Sequence, residues 1–193
     1  MDNFDKILPL LTEVWDTYNI PMSFHVQILQ RSKDGHDKST RLVAEWFIGS
    51  EQRFKFLTTA MKSLCNAYDA RCYINLNPKS DESVLWKMLK NTAERLETKS
   101  YSPYSLISSA HDSCNGHGTK RWIVDVDDLS VDLEQLITKI NLCRSGTPNN
   151  NVICQVPTKN GIHLITNPFD LSQIQLPAKV EIKKNNSTLL YWT

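Results

Sequence analysis

Apolar and polar positions along this chain follow two rhythms, and the switches between them mark out its elements. Over residues 3–18, Ile7, Leu10, Leu11, Val14 and Trp15 recur at the spacing of one helix face, and Pro21 closes the stretch. Phe24 to Gln30 then alternates with the period of a strand, and Leu42 to Ile48 is a second apolar run. Between them lies the polar segment Arg31 to Thr40 with Lys33-Asp34-Gly35, which predicts a hairpin connection. Ser50 is placed to cap a helix running to about Tyr68, with Phe54, Leu57, Met61 and Leu64 on one side. Arg71 to Pro78 reads as a third strand closed by Asn77-Pro78. Asp81 then caps a helix over roughly 82–97 that carries Val84, Leu85, Met88, Leu89 and Leu96. Residues 98–119, rich in Ser and holding Pro103, Gly116 and Gly118, are predicted as the longest loop.

The second half is richer in strands. Arg121 to Asp127 is a strand whose apolar run is interrupted only near its end. A helix is predicted from Val131 to Leu142, capped by Asp128 or Ser130. Asn149-Asn150-Asn151 precedes a strand over Val152 to Val156, and Lys159-Asn160-Gly161 is a tight turn into the strand Ile162 to Thr166. Val180 to Ile182 and Ser187 to Trp192 read as a last hairpin around Asn185-Asn186. The order, α-β-β-α-β-α and then β-α-β-β-β-β, predicts α+β packing rather than a doubly wound sheet. The expectation is a single domain, 1–193, with an αβ module over 1–100 and a strand-rich module over 119–193.

Composition narrows the partners. With 40% apolar and 22% charged residues among 193, the chain has the balance of a folded domain. The formal charge is +1, from 22 basic against 21 acidic side chains, so any basic surface for nucleic acid must be local. Five cysteines without framework spacing favour reduced thiols. Met1 to Lys6 shows no basic stretch followed by an apolar one, and nothing approaches a membrane span. The expectation is therefore a cytoplasmic protein without a membrane partner.

Asp125 and Asp127 are the most informative residues. Two positions apart on a strand, they share a face, and two like charges side by side call for a cation. Mg²⁺ or Mn²⁺ is the natural choice for oxygen ligands. The bland alternative is a strand that ends in solvated acids. His163 lies 38 residues beyond Asp125, just after Thr158-Lys159-Asn160-Gly161. That turn offers a small residue for close backbone approach, a compact cation and hydrogen-bonding groups to a phosphate. His163 could bind or protonate a polyphosphate; equally, it reads as a half-buried strand residue with a satisfied hydrogen bond.

Together these residues resemble the archaeo-eukaryotic primase (primase-polymerase) superfamily, particularly its compact members in phages and mobile elements. The shared features are an apolar strand ending in Asp-x-Asp, here Trp122-Ile-Val-Asp125-Val-Asp127, and a small-residue turn leading to histidine, Lys159-Asn160-Gly161-Ile162-His163. An earlier strand ends in Asn-Pro, Tyr73-Ile-Asn-Leu-Asn77-Pro78. The resemblance spans about residues 70–190. It implies an RRM-like, mostly antiparallel catalytic sheet on which the αβ unit packs. It also implies a nucleotidyltransferase that joins nucleotides on a nucleic-acid template. By it, Asp125 and Asp127 hold the divalent metal, while His163, Lys159, Asn160 and Gly161 address the triphosphate. Arg71 contacts nucleotide or template, or is a surface arginine. The family's third acid has no clean counterpart: Glu181 after Val180 is nearest, with Asp170 after Phe169 as the alternative. A chain this short implies a helicase or other replication protein as partner.

Three further readings compete. Phe169-Asp170 with Glu181-Ile182-Lys183 resembles the acids and lysine of restriction-type nucleases; Lys183-Lys184 could instead cover a sheet edge. A catalytically inactive nucleotide- or nucleic-acid-binding module could use Lys33, Arg41, Lys120 and Arg121 as a local basic strip. His111-x-x-Cys114-x-x-His117, with Cys143 or Cys154, is a candidate zinc set.

Overall fold

The structure, a computed structural model, describes residues 1–35, 39–100, 106–128, 130–146 and 150–192. Pro103, Asn149 and the side chain of Lys33 lie outside the described residues. The protein is α+β, built on two antiparallel sheets.

Helix α1 (Phe4–Thr17) buries the face its periodicity marks, Ile7, Leu10, Leu11 and Val14 together with Phe4. Strand β1 (Met22–Gln30) pairs antiparallel with both β2 (Arg41–Ile48) and β3 (Arg71–Asn75). Between β2 and β3 runs α2 (Glu51–Tyr68), begun by the Ser50 hydroxyl, which accepts from the Arg53 N–H. A short strand, β4 (Lys79–Ser80), adds to the start of β1. Helix α3 (Asp81–Glu97) follows. Its cap is Ser80 rather than Asp81, because the Asp81 carboxylate instead accepts the Ser23 hydroxyl at 2.7 Å.

Two expectations fail in this region. The Ser-rich stretch predicted as loop contains an eight-residue helix, α4 (Leu106–Ser113), packed on α3 and burying Ala110 and His111. Of the apolar residues expected along α3, Val84 alone is buried and Met88 is half-buried, while Leu85, Leu89 and Leu96 are exposed, as is Trp86 beside them. Amphipathic spacing identifies the helix correctly and leaves open whether its apolar face is covered.

The second sheet comprises β5 (Trp122–Val126), β6 (Val152–Pro157), β7 (Ile162–Thr166) and β8 (Val180–Lys183), in the order β6-β7-β5-β8. Helix α5 (Leu133–Leu142) links β5 to β6. It is capped by Asp132, which accepts from the Gln135 N–H at 3.0 Å. Asp128 lies too early for that role and closes a local turn onto Ser130.

The last two strands do not form the predicted hairpin. β8 pairs with β5, whereas β9 (Ser187–Tyr191) crosses to the first sheet and pairs with β3, giving the order β2-β1-β3-β9. Burial explains the split, since Val180 fits the core behind the second sheet and Leu190 fits the core of the first. The first sheet thus draws its last strand from the far end of the chain, across the boundary expected between 1–100 and 119–193.

Two apolar clusters result. One gathers α1, α2, β1, β3 and β9, and takes in Ile123, Val156 and Ile165 from the second sheet. The other lies on the opposite face of that sheet, where Val124, Val126, Leu164 and Val180 meet Leu136 and Ile140 of α5. No helix among the described residues is long and apolar enough to cross a membrane. All five cysteines are free.

Leu190 is fully buried at the junction of the two parts of the chain. Leu190→Ala should lower the unfolding free energy by about 2–5 kcal/mol in urea titration. A loss below about 1 kcal/mol would place β9 outside the core.

Candidate active site

The register of the second sheet sets the candidate residues in a row. Asp125 on β5 lies directly opposite His163 on β7 and directly opposite Glu181 on β8. Directly paired residues share a face, so Ile123, Asp125, His163, Ile165, Glu181 and Lys183 stand together. The inner part of that face, Ile123 and Ile165, belongs to the core shared with the first sheet. Its outer part is charged.

Asn77 helps place β5. Its buried side chain accepts from the Arg121 N–H at 2.7 Å and donates to the Arg121 carbonyl at 3.0 Å. The Asn-Pro that closes the third predicted strand therefore moors the entrance of the acid-bearing strand. Arg121 itself is buried, bonded to Asn167 at 2.6 Å and paired with Glu13 at 2.8 Å. It is no part of an exposed basic strip, although Arg41 and Lys120 are exposed.

Asp125 is only 6% exposed. Its Oδ2 accepts from the Lys183 ammonium. Its Oδ1 is buried and lies 3.3 Å from His163 Nε2, an ion-pair distance without hydrogen-bond alignment. Burial pushes the Asp125 carboxyl up, but His163 and Lys183 together outweigh it and bring the pKa down to about 2. His163 Nδ1 is 2.9 Å from the hydroxyl of the fully buried Thr188 on β9, a contact that bridges the two sheets. With a carboxylate beside Nε2, the favourable arrangement carries a proton on that nitrogen.

Asp125, Asp127 and His163 line a cleft of about 430 Å³ that also draws on the first sheet. Lys159 and Asn160 from the β6–β7 turn line it, as does Arg71 from β3. Arg71 is 7% exposed, so it is a cleft residue rather than a surface one. Its guanidinium pairs with Asp34, and Lys159 Nζ reaches the same carboxylate at 3.4 Å. Burial raises the Asp34 pKa, yet these two cations hold it below the usual carboxylate value. Trp192 lies beneath both, 5.0 Å from Lys159 Nζ and 5.7 Å from the Arg71 guanidinium carbon. Lys183, Arg31 and Tyr73 also line the cleft, and the motif spacing did not single them out for it.

Other expected residues are placed differently. Gly161 answers to a backbone constraint: a Cβ there would lie 1.9 Å from the Val126 carbonyl oxygen. That close approach brings the Lys159 turn over the end of β5. Glu181 shares the row with Asp125 but is 73% exposed, with Lys183 Nζ 3.9 Å away. Asp125, Asp127 and Glu181 do not bring three ligand atoms within 4.8 Å of one another. Asp170 is removed from both acid sets: it closes a turn onto Ser172, and Phe169 beside it packs behind the sheet. The zinc set is also not assembled. Cys114 Sγ turns to the Ser83 carbonyl at 3.5 Å, His117 rests edge-on against Tyr18, and Cys143 is buried behind the second sheet.

Comparison with protein-family models, curated proteins and solved structures finds no match for this chain.

A carboxyl with a depressed pKa stabilises the fold above its unfolded value and loses that contribution as pH falls through the folded value. Asp125→Asn should therefore be less stable than wild type by about 2 kcal/mol at pH 7. Urea titrations should show this gap closing between about pH 4 and pH 2; a pH-independent gap would assign it to packing. Gly161→Ala should destabilise by about 1–3 kcal/mol, and an unchanged urea midpoint would contradict the close approach to Val126.

Proposed function

We propose that the chain is a nucleotidyltransferase of the primase-polymerase type, using Mg²⁺ or Mn²⁺ to join nucleotides on a nucleic-acid template. One observation carries this reading: an acid pair and several cations from both sheets meet in one cleft. Asp125 and Asp127 line it together with Arg31, Arg71, Lys159 and Lys183. Its volume suits a small-molecule ligand. The strand order also supports it. The β5-α5-β6-β7-β8 segment is ordered β6-β7-β5-β8, which is the order of an RRM-like sheet, with acid and histidine on adjacent central strands.

In this reaction a 3′ oxygen bonds to the α-phosphorus of a nucleoside triphosphate while the bond to the β-phosphate breaks, and pyrophosphate leaves. Arg71 and Lys159 exchange their shared partner Asp34 for phosphate oxygens, which are stronger acceptors of paired charge. His163, beside Asp125, lines the same cleft. Asp125 and Asp127 fit a hard cation, since Asp125 Oδ1 is buried without an aligned donor and Asp127 is exposed beside it. Asp125 and Asp127 would hold such a cation, which would supply charge neutralisation at the phosphates and lower the pKa of the attacking hydroxyl. Lys183 serves as the counter-ion of Asp125, a place such a cation would take over. A helicase or other replication protein is the accessory partner in this reading.

A second reading draws on a single contact. Lys183 touches Asp125 and lies 3.9 Å from Glu181, so an acid on β5 faces a Glu-x-Lys on the antiparallel strand β8. That arrangement is similar to a restriction-type nuclease, with Asp125 in the place the sequence offered to Asp170. There the lysine supports an activated water.

A primer-synthesis and extension assay with manganese tests both, alongside nucleotide-binding calorimetry. Asp125→Ala/Asp127→Ala should lower synthesis by at least about 10²–10³-fold, and Lys159→Ala should weaken triphosphate binding about tenfold, or 1.4 kcal/mol. Lys183→Ala should leave synthesis intact. If it instead abolishes DNA cleavage by a protein that never extends a primer, the nuclease reading stands and the first falls. Triphosphate binding without synthesis would identify a binding module.

A further inference from the structure

A second polar cluster lies on the first sheet. His25 of β1 is on the same side of its strand as the cleft residues Gln27 and Leu29. Four residues of strand put His25 about 13 Å from Leu29. Its ring is sandwiched between strand and helix: it stacks on Phe47 of β2 at 4.7 Å and meets His111 of α4 edge-on at 5.4 Å. Ligand atoms of His25, His111 and Asp112 lie within 4.8 Å of one another, and they are the one such group of three among the described residues.

The hydrogen bonds fix where the lone pairs point. His111 Nε2 is 3.2 Å from the Ser23 carbonyl, which can only accept, so that nitrogen carries the proton. His111 is 1% exposed. Its Nδ1 is therefore an acceptor, buried without a partner, and it faces Asp112 Oδ1 at 3.9 Å. Two acceptors confront each other there.

His25 is engaged at both ring nitrogens. Its Nε2 is 2.9 Å from Glu45 Oε2, whose partner oxygen accepts the Ser108 hydroxyl. Its Nδ1 is 3.1 Å from the same Asp112 Oδ1 that His111 Nδ1 faces. Each histidine thus gives its far nitrogen to an oriented acceptor and turns its near nitrogen inward. This is how metal-ligating histidines are held. The buried side chain of Lys79 also lies near this cluster.

The geometry points to a divalent transition-metal site, best suited to Zn²⁺, with His25 Nδ1, His111 Nδ1 and Asp112 Oδ1 as ligands. Two imidazoles and a carboxylate are a borderline-soft donor set that favours zinc over magnesium. The exposed side of Asp112 leaves room for water as a fourth ligand. The ion would fasten α4 to β1, giving this helix an anchor to the sheet. It is independent of the chemistry at Asp125.

Metal-stripped full-length protein titrated with Zn²⁺ in a calorimeter should bind one ion per chain. Asp112→Ala, at an exposed position that does not threaten folding, should weaken binding at least about tenfold, and Glu45→Gln by about 10–100-fold. Asp125→Ala/Asp127→Ala should leave zinc affinity unchanged, so this site and the proposed cleft can fail separately. Co²⁺ substitution should give the absorption of nitrogen and oxygen ligands alone. No zinc binding by the wild type would overturn the proposal, leaving His25 as a protonated bridge between Glu45 and Asp112. A thiolate-to-cobalt band, or affinity indifferent to Asp112, would overturn the ligand set.

Discussion

A carboxylate withdrawn from water must be met by charge or hydrogen bonds, or it will not stay ionised. Asp125 is in that position. It sits on the central strand of the second sheet, where the apolar part of one face gives way to the charged part. Its compensation comes from both neighbouring strands, His163 on β7 and Lys183 on β8. His163 in turn leans on Thr188 of the other sheet. The environment of one acid therefore ties together β5, β7, β8 and β9.

The same logic shapes the cleft. Lys159 reaches from the β6–β7 turn to Asp34 beyond β1, where Arg71 already pairs. One carboxylate shared by two cations leaves positive charge in excess, whereas Asp127, exposed beyond the end of β5, adds a carboxylate to the same cleft. A ligand bearing phosphates and accompanied by a cation complements both. The core places this polarity: Ile123, Ile165 and Val156 hold the inner part of the second sheet against the first. Gly161 lets the turn close over Val126.

The second cluster, around His25 and His111, follows a different rule. Here two imidazoles and a carboxylate converge, with the far nitrogen of each ring held by an oriented acceptor. The cleft balances fixed opposite charges. The cluster on β1 and α4 instead gathers imidazole nitrogens around one carboxylate, and this separates the two sites chemically as well as in space.

Local pattern was enough for most of the elements. The helical spacing of Ile7, Leu10, Leu11 and Val14, the Ser50 cap and the turn before Ile162 all act within a few residues, so the sequence alone determined α1, α2 and the β6–β7 hairpin. The two-residue spacing of Asp125 and Asp127 likewise placed them on one side of a strand. What lay beyond it were pairings between distant segments. That β9 leaves β8 for β3, that α3 exposes Leu85 and Trp86, that Lys183 rather than Glu181 meets Asp125, and that His111 finds His25 instead of Cys114 all depend on which buried faces compete. Periodicity says which side of an element is apolar or charged; only the packed structure decides what that side touches, because contact is settled by competition for burial across the whole chain.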